Sequence, residues 1–275
     1  MKLAVASGKG GTGKTTVAVS LALCATGNVQ YMDCDVEEPN GHLFLKPQIT
    51  ERITCKVTVP VINEEKCTYC GKCRDICRFN AITVFGKTIM AFPELCHACR
   101  GCFLVCDEKA IDEGEREVGV VEKGSAGSIS FCHGKLRIGE AMSPPLIKAV
   151  KKHIIKDALV ILDAPPGTTC PVIATVKDAD YVILVTEPTP FGLNDLKLAV
   201  GVLRKLDIPF SVIINRHGIG DDRVERWCAE EGIDIKMKIP FDRKIAEGYA
   251  KAQPLVETRT DLRASFEQLL EEIRQ

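Results

Sequence analysis

The chain has 275 residues, 45% of them hydrophobic, and carries 36 basic against 37 acidic side chains. That is enough apolar mass for a real core, while the balanced charge and 5% aromatic content signal neither a nucleic-acid groove nor a base-stacking platform. Fourteen cysteines with no signal peptide point to a reducing cytoplasm, and no apolar run approaches the roughly 18 residues that span a bilayer, so no membrane or nucleic-acid partner is expected. From the N-terminus, Leu3 to Ala6 reads as a short buried strand, followed by a glycine-rich loop and a helical pattern from Lys14 to about Ala25. Val29 to Met32 is the next strand and ends in Asp33-Cys34-Asp35. After Pro39-Asn40 this pattern breaks off, and a cysteine-rich stretch with short strands such as Ala81 to Val84 occupies residues 54–121. The alternation resumes with a helix from Ser143 to Lys156, opened by Pro144-Pro145. Strands follow at Leu159 to Leu162, Tyr181 to Val185, Phe210 to Ile214 and Ile235 to Ile239. Helices are expected between them at Val172 to Val176, Asn194 to Leu206 and Asp222 to Glu231. Asp261 to Gln275 forms an amphipathic helix whose acidic polar face suits packing against the body better than anionic lipid. The expected fold class is α/β, a parallel sheet with helices on both faces (residues 1–53 and 122–275), carrying an inserted α+β domain at 54–121.

The insertion contains two Cys-x-x-Cys-x-x-Cys-x-x-x-Cys runs offset by 29 residues. They are Cys67, Cys70, Cys73, Cys77 and Cys96, Cys99, Cys102, Cys106, the bacterial ferredoxin spacing. The repeat extends beyond the thiols, since Ala81-Ile82 recurs as Ala110-Ile111. In two-cluster modules the fourth cysteine of each run ligates the other cluster. One 4Fe-4S cluster is therefore assigned to Cys67, Cys70, Cys73 and Cys106, the other to Cys96, Cys99, Cys102 and Cys77. Zinc is the competing reading for Cys-x-x-Cys, but its sites use two pairs rather than two interleaved quartets. The proline that usually follows the fourth cysteine is replaced by Arg78 and Asp107, which bears on redox tuning rather than on cluster number.

Gly8-Lys9-Gly10-Gly11-Thr12-Gly13-Lys14-Thr15 fits G-x-x-x-x-G-K-[ST] between a strand and a helix. Glycines let backbone N-H groups turn toward phosphate oxygens, Lys14 reaches the outer phosphates and the Thr15 hydroxyl binds Mg²⁺, with Thr16 next in the nucleotide-binding run. ATP and Mg²⁺ are the cofactors expected there.

With its early lysine, Lys9 to Thr15 resembles the deviant Walker A motif of the MinD/ParA superfamily, which includes the nitrogenase iron protein and the Mrp-type iron-sulfur carriers. The resemblance implies a homodimer around two ATP molecules, with Lys9 crossing to the partner's phosphates. It also implies that Asp33 and Asp35 serve as second-strand carboxylates, one near Mg²⁺ (assigned to Asp33) and one orienting the attacking water. Asp163, before Ala164-Pro165-Pro166-Gly167, is similar to a Walker B residue touching Mg²⁺ through water. Asn215 and Pro240 match adenine-side positions, although turn chemistry explains them too.

Of the remaining cysteines, Cys24, Cys34, Cys55 and Cys228 read as small core residues. Core packing is also the first reading of Cys132 and Cys170. However, Cys132-His133-Gly134-Lys135 is similar to a cysteine segment of the nitrogenase iron protein, which makes the pair candidates for a third, dimer-bridging cluster and for sensing nucleotide state.

These readings converge on an ATPase whose nucleotide-dependent dimer switch is coupled to electron transfer through two 4Fe-4S clusters, toward a redox partner protein or low-potential acceptor. The alternative is an iron-sulfur cluster assembly or carrier ATPase. A spatial organiser of the MinD/ParA kind lacks the basic tail or patch it would need.

Overall fold

A computed structural model describes residues 1–274, so Gln275, the last residue of the expected C-terminal helix, lies outside the described residues. In chain order the strands are β1 (Lys2–Ala6), β2 (Val29–Asp33), β3 (Gln48–Ile62), β4 (Ile82–Phe85), β5 (Thr88–Ala91), β6 (Ile111–Ala126), β7 (Ile129–Leu136), β8 (Leu159–Asp163), β9 (Tyr181–Thr186), β10 (Phe210–His217) and β11 (Ile235–Pro240). The α-helices are α1 (Lys14–Cys24), α2 (Gly41–Leu45), α3 (Lys72–Ile76), α4 (Gly101–Leu104), α5 (Pro144–Lys151), α6 (Cys170–Val176), α7 (Pro190–Leu206), α8 (Arg223–Glu230), α9 (Arg243–Ala250), α10 (Leu255–Thr258) and α11 (Arg263–Arg274).

Nine strands form one sheet in the order β11-β10-β9-β1-β8-β2-β7-β6-β3. Pairing is parallel from β11 to β7 and antiparallel for β7-β6 and β6-β3. The central strands are buried on both faces because successive side chains enter different cores. On β1, Leu3 and Val5 join one core with α1, α10 and α11, while Ala4 and Ala6 join the other with α5, α6, α7 and α8. Phe266, Leu269 and Leu270 of α11 are buried against the body, as the amphipathic pattern required.

Within the sheet, two features differ from the sequence reading. β7, which continues the parallel sheet beside β2, carries no expected element, and β3 and β6 are long strands where only short ones were expected. Most of β3 is exposed or half-exposed, so it shows no clean apolar alternation. It is held by backbone pairing along its length to β6. Only the Gly119–Ala126 end of β6 pairs with β7. Beyond a register shift at Cys55/Lys56 the two strands leave the sheet as a two-stranded ribbon. Gly119 sits at that departure, where a Cβ would lie 2.4 Å from the Lys135 carbonyl oxygen. Both strands run unbroken through positions 54 and 121, so the cysteine-rich segment grows out of the sheet instead of hanging from a linker. It contains α3, the β4-β5 hairpin and α4, around a small core of its own. Among the described residues no helix is long and apolar enough to cross a membrane.

Candidate functional site

The glycine loop lies at the C-terminal end of β1, between β8 and β9. Gly11 and Gly13 take φ of 79° and 93°, a region that favours glycine. A Cβ on Gly13 would also stand 2.3 Å from the Asn215 Nδ2. Asn215 Nδ2 donates to the Thr12 carbonyl at 2.8 Å, so this residue from the end of β10 braces the loop. The loop opens on a cavity of about 360 Å³ lined by Gly10, Gly13, Lys14, Thr15, Asp35 and Asn215, with Thr16, Pro166 and Pro240 among its other walls. Arg216, Phe241 and Tyr249 also line it. Sequence reasoning passed over these three because no spacing ties them to the loop.

The carboxylates divide into two kinds. Asp33 and Asp163 are paired across β2 and β8 and fully buried. Burial and mutual repulsion raise the Asp33 carboxyl, and burial raises that of Asp163 against the pull of Lys14. Both oxygens of Asp33 are occupied: Oδ1 accepts from the Asp35 N-H at 3.1 Å and Oδ2 from the Gly41 N-H at 2.9 Å. Asp33 thus braces the 35–41 turn and is not among the residues that line the cavity. Asp163 accepts the Tyr31 hydroxyl at 2.8 Å on Oδ2, while its buried Oδ1 has no hydrogen-bond partner. A cation-bound water is the chemistry such an orphaned acceptor fits. Asp35 does face the cavity; burial, only partly opposed by Lys14, pushes it up to about 7.

Lys9 is held by its own chain, 3.2 Å from Glu187, a nearly buried carboxylate that also binds Arg216 at 2.7 Å.

In the cysteine-rich segment the 29-residue repeat recurs in three dimensions. Residues Tyr69 and Ala98, Gly71 and Arg100, and Asn80 and Lys109 all have positive φ, each pair at that offset. Four backbone N-H groups point at sulfur in the same register: Tyr69 to Cys67 and Ala98 to Cys96 at 3.4 Å, Ala81 to Cys77 at 3.3 Å and Ala110 to Cys106 at 3.2 Å. Such donors stabilise a thiolate and tune a metal bound to it. One cavity is lined by Cys67, Cys70, Cys73 and Cys106, and a second by Cys77, Cys96, Cys99 and Cys102. Burial pushes the Cys102 thiol up to about 11, so a metal there must displace a proton. Among the described residues no three His, Cys, Asp or Glu side chains converge as ligands of a single ion. His97 is exposed and stacks on Phe79, with ring centroids 3.5 Å apart.

The pairing of Cys132 with Cys170 is corrected by the fold. Cys132, on β7, points into the core beside Leu146, Val150 and Cys34, is 1% exposed, and its thiol is pushed up to about 12 by burial. A thiol packed within the core cannot ligate a cluster shared across a subunit surface. Cys170, at the start of α6, is exposed.

A parallel sheet with a phosphate loop at the end of its central strand, a lysine and threonine opening the next helix, and an acid closing the neighbouring strand define a P-loop nucleotide-binding protein. Residues 3–255 match the CobQ/CobB/MinD/ParA nucleotide binding domain, and the chain belongs to that family. An uncharacterized protein of Methanocaldococcus jannaschii, MJ0579, is 31% identical over 280 residues, covering 98% of this chain and 96% of its own. An iron-sulfur cluster carrier protein of Pyrococcus horikoshii is 25% identical over 279 residues, covering 93% and 79%. Among solved structures, the septum site-determining protein MinD from P. horikoshii, complexed with Mg-ADP, superposes with a TM-score of 0.58 at 21% identity, covering 99% of this chain and 95% of its own. At that identity the likeness is one of fold.

Proposed function

We propose that this protein is an ATP-hydrolysing dimer switch bearing two 4Fe-4S clusters, in which nucleotide state governs electron transfer through them to a protein or low-potential acceptor. The observation that carries the cluster half is the coincidence of the eight thiols with two cavities, each lined by three cysteines of one run and the fourth of the other. The repeated N-H to sulfur bonds fit the donor set as well. Four thiolates around a cluster stand farther apart than four around one zinc ion, whose Zn-S bonds are about 2.3 Å. The absence of a converged single-ion site among the described residues is compatible with that wider spacing. Once bound, the clusters supply one-electron chemistry.

At the nucleotide site, Lys14 would neutralise the outer phosphates, and Thr15 with Asp163 Oδ1 would hold Mg²⁺ and its water, the ion supplying further charge neutralisation. Asp35, in the cavity wall, orients the attacking water. Phosphoryl transfer depends on such placement and charge neutralisation more than on a strong base. Lys9 leaves Glu187 for the partner's phosphates when two chains close around ATP.

Delivery of a cluster to another protein is the second reading. It is favoured by the naming of relatives such as that of P. horikoshii and by one exposed thiol in each set, Cys70 and Cys99. Anaerobic purification followed by iron analysis, spectroscopic redox titration with and without Mg-ATP, and incubation with an apo-ferredoxin tests both readings. About eight iron atoms per chain, a nucleotide-dependent shift and no loss of iron to the acceptor support electron transfer. Rapid transfer of iron supports delivery, and stoichiometric zinc with little iron rejects both.

A further inference from the structure

Arg116 lies on the ribbon part of β6 and Glu140 in the connection between β7 and α5. Their side chains form an ion pair and are only 6% and 1% exposed. A buried pair of this kind is weak evidence for stability, since apolar residues of similar volume often do as well. Its other bonds are more informative. Arg116 Nη2 donates to the carbonyl oxygen of Cys96 at 3.2 Å, and Glu140 Oε1 accepts from the Met142 N-H at 3.0 Å, one residue before the Ser143 cap of α5. One end of α5 is therefore tied to the backbone of a cysteine in the second set.

The other end is tied to the nucleotide site. Lys151, the last residue of α5, donates to the carbonyl oxygens of Ala174 at 2.9 Å and Thr175 at 2.7 Å, in the final turn of α6. The loop 164–169 joins α6 to Asp163; its Pro166 lines the nucleotide cavity, and its Gly167 N-H bonds the Ser7 carbonyl at 3.0 Å. A cation on the last carbonyls of a helix is a favourable arrangement and moves with that helix. Comparable direct ties do not occur between α5 and Cys67, Cys70, Cys73 or Cys106 among the described residues.

We propose that Arg116 and Glu140 are positioning residues that transmit movement of the 164–169 loop, through α6, Lys151 and α5, to the Cys77, Cys96, Cys99 and Cys102 set, so that nucleotide state acts on this set and spares the other. The inference rests on the reading of the two cysteine sets as cluster sites, but its mechanical part concerns the chain alone. Contact of Pro166 with bound nucleotide displaces the loop, and the two polar joints carry the displacement because each holds helix α5 by part-buried hydrogen bonds at a fixed end.

The test uses the full chain, with the double variant Arg116→Met, Glu140→Leu, in which apolar replacement of both partners keeps the fold, and separately Lys151→Met. Hydrogen-deuterium exchange of residues 93–103 and 64–74 is compared with and without Mg-ATP, alongside redox titration of each cluster by electron paramagnetic resonance. In the natural protein, Mg-ATP changes exchange at 93–103 more than at 64–74 and moves the potential of one cluster only. Each variant binds Mg-ATP within about twofold of the natural affinity, retains its iron, and loses both responses. Persistence of the exchange response in the double variant, or an equal response of the two segments in the natural protein, overturns the inference. A missing 4Fe-4S signal with an intact exchange response refutes the cluster reading and leaves the mechanical joint standing.

Discussion

Lys9 and Glu187 form an ion pair within one chain, and Arg216 occupies the second oxygen of the same carboxylate. The Glu187 side chain is only 7% exposed and is held by Arg216 at 2.7 Å, which keeps the carboxylate from following the lysine outward. The lysine expected to reach a partner's phosphates is therefore held in its own subunit until that contact competes with Glu187.

The first prediction separates the two loop lysines. Lys14→Ala should abolish Mg-ATP binding in calorimetry, because a nearly buried cation facing the phosphates is removed. Lys9→Ala should leave monomer affinity nearly unchanged while eliminating ATP-dependent dimers in sedimentation velocity. Glu187→Gln should strengthen those dimers roughly two- to fivefold, as expected for release of a partly exposed ion pair. Equal loss of nucleotide affinity in both lysine variants would remove the cross-subunit role.

The second concerns the two carboxylates after β2. Asp35→Asn should bind Mg-ATP but turn over about 10²-fold or more slowly. Asp33→Asn should instead cost about 1 to 3 kcal/mol in urea denaturation, since an amide nitrogen would face a backbone N-H donor. Full stability of Asp33→Asn with lost Mg²⁺ dependence would instead mark it as the expected metal ligand.

A third follows from the raised carboxyls. Burial lifts Asp35 to about 7, and Asp33 and Asp163 are raised too. Over this window the folded chain keeps protons that the unfolded chain, with aspartates near about 3.9, has released. Each such contribution to stability is full below the unfolded value and is lost as pH rises through the folded value, which for Asp35 is about 7. The Tm of the nucleotide-free protein should fall between pH 5 and pH 8, by about 2 to 4 °C per kcal/mol for a chain of this size. Mg-ADP should flatten the profile by placing a cation beside the same carboxylates. A free-protein Tm that rises across this range would contradict the direction.

The fourth uses thiols inside and outside the quartets. Cys73→Ser should disturb one cluster and leave the other largely intact by electron paramagnetic resonance. Cys132→Ala should keep about eight iron atoms per chain and destabilise the protein by roughly 1 kcal/mol, as truncation of a small core side chain does. Loss of about two iron atoms per chain in Cys132→Ala would return it to a bridging role.

Much of this protein was legible one segment at a time. The glycine loop, the strand ends at Asp33 and Asp163, and the two cysteine runs are short patterns whose meaning lies in backbone conformation or ligand spacing over a few residues. The packed C-terminal helix was legible for the same reason, its apolar stripe being complete within 15 residues. β3 was hidden because its partner β6 lies about 50 residues away and its side chains are largely exposed, so backbone pairing rather than an apolar face defines it. The fate of Cys132 was equally nonlocal: neighbouring strand residues face opposite sides, and only the insertion of β7 between β2 and β6 turned this thiol into the core. The division of labour between Asp33 and Asp35 arose from the turn that brings the Gly41 N-H back to Asp33. Local chemistry thus named the groups whose types and spacing suit phosphate and the proposed clusters. Tertiary packing decided which are free to do so, because a side chain's charge, partners and access depend on neighbours that the sequence holds far apart.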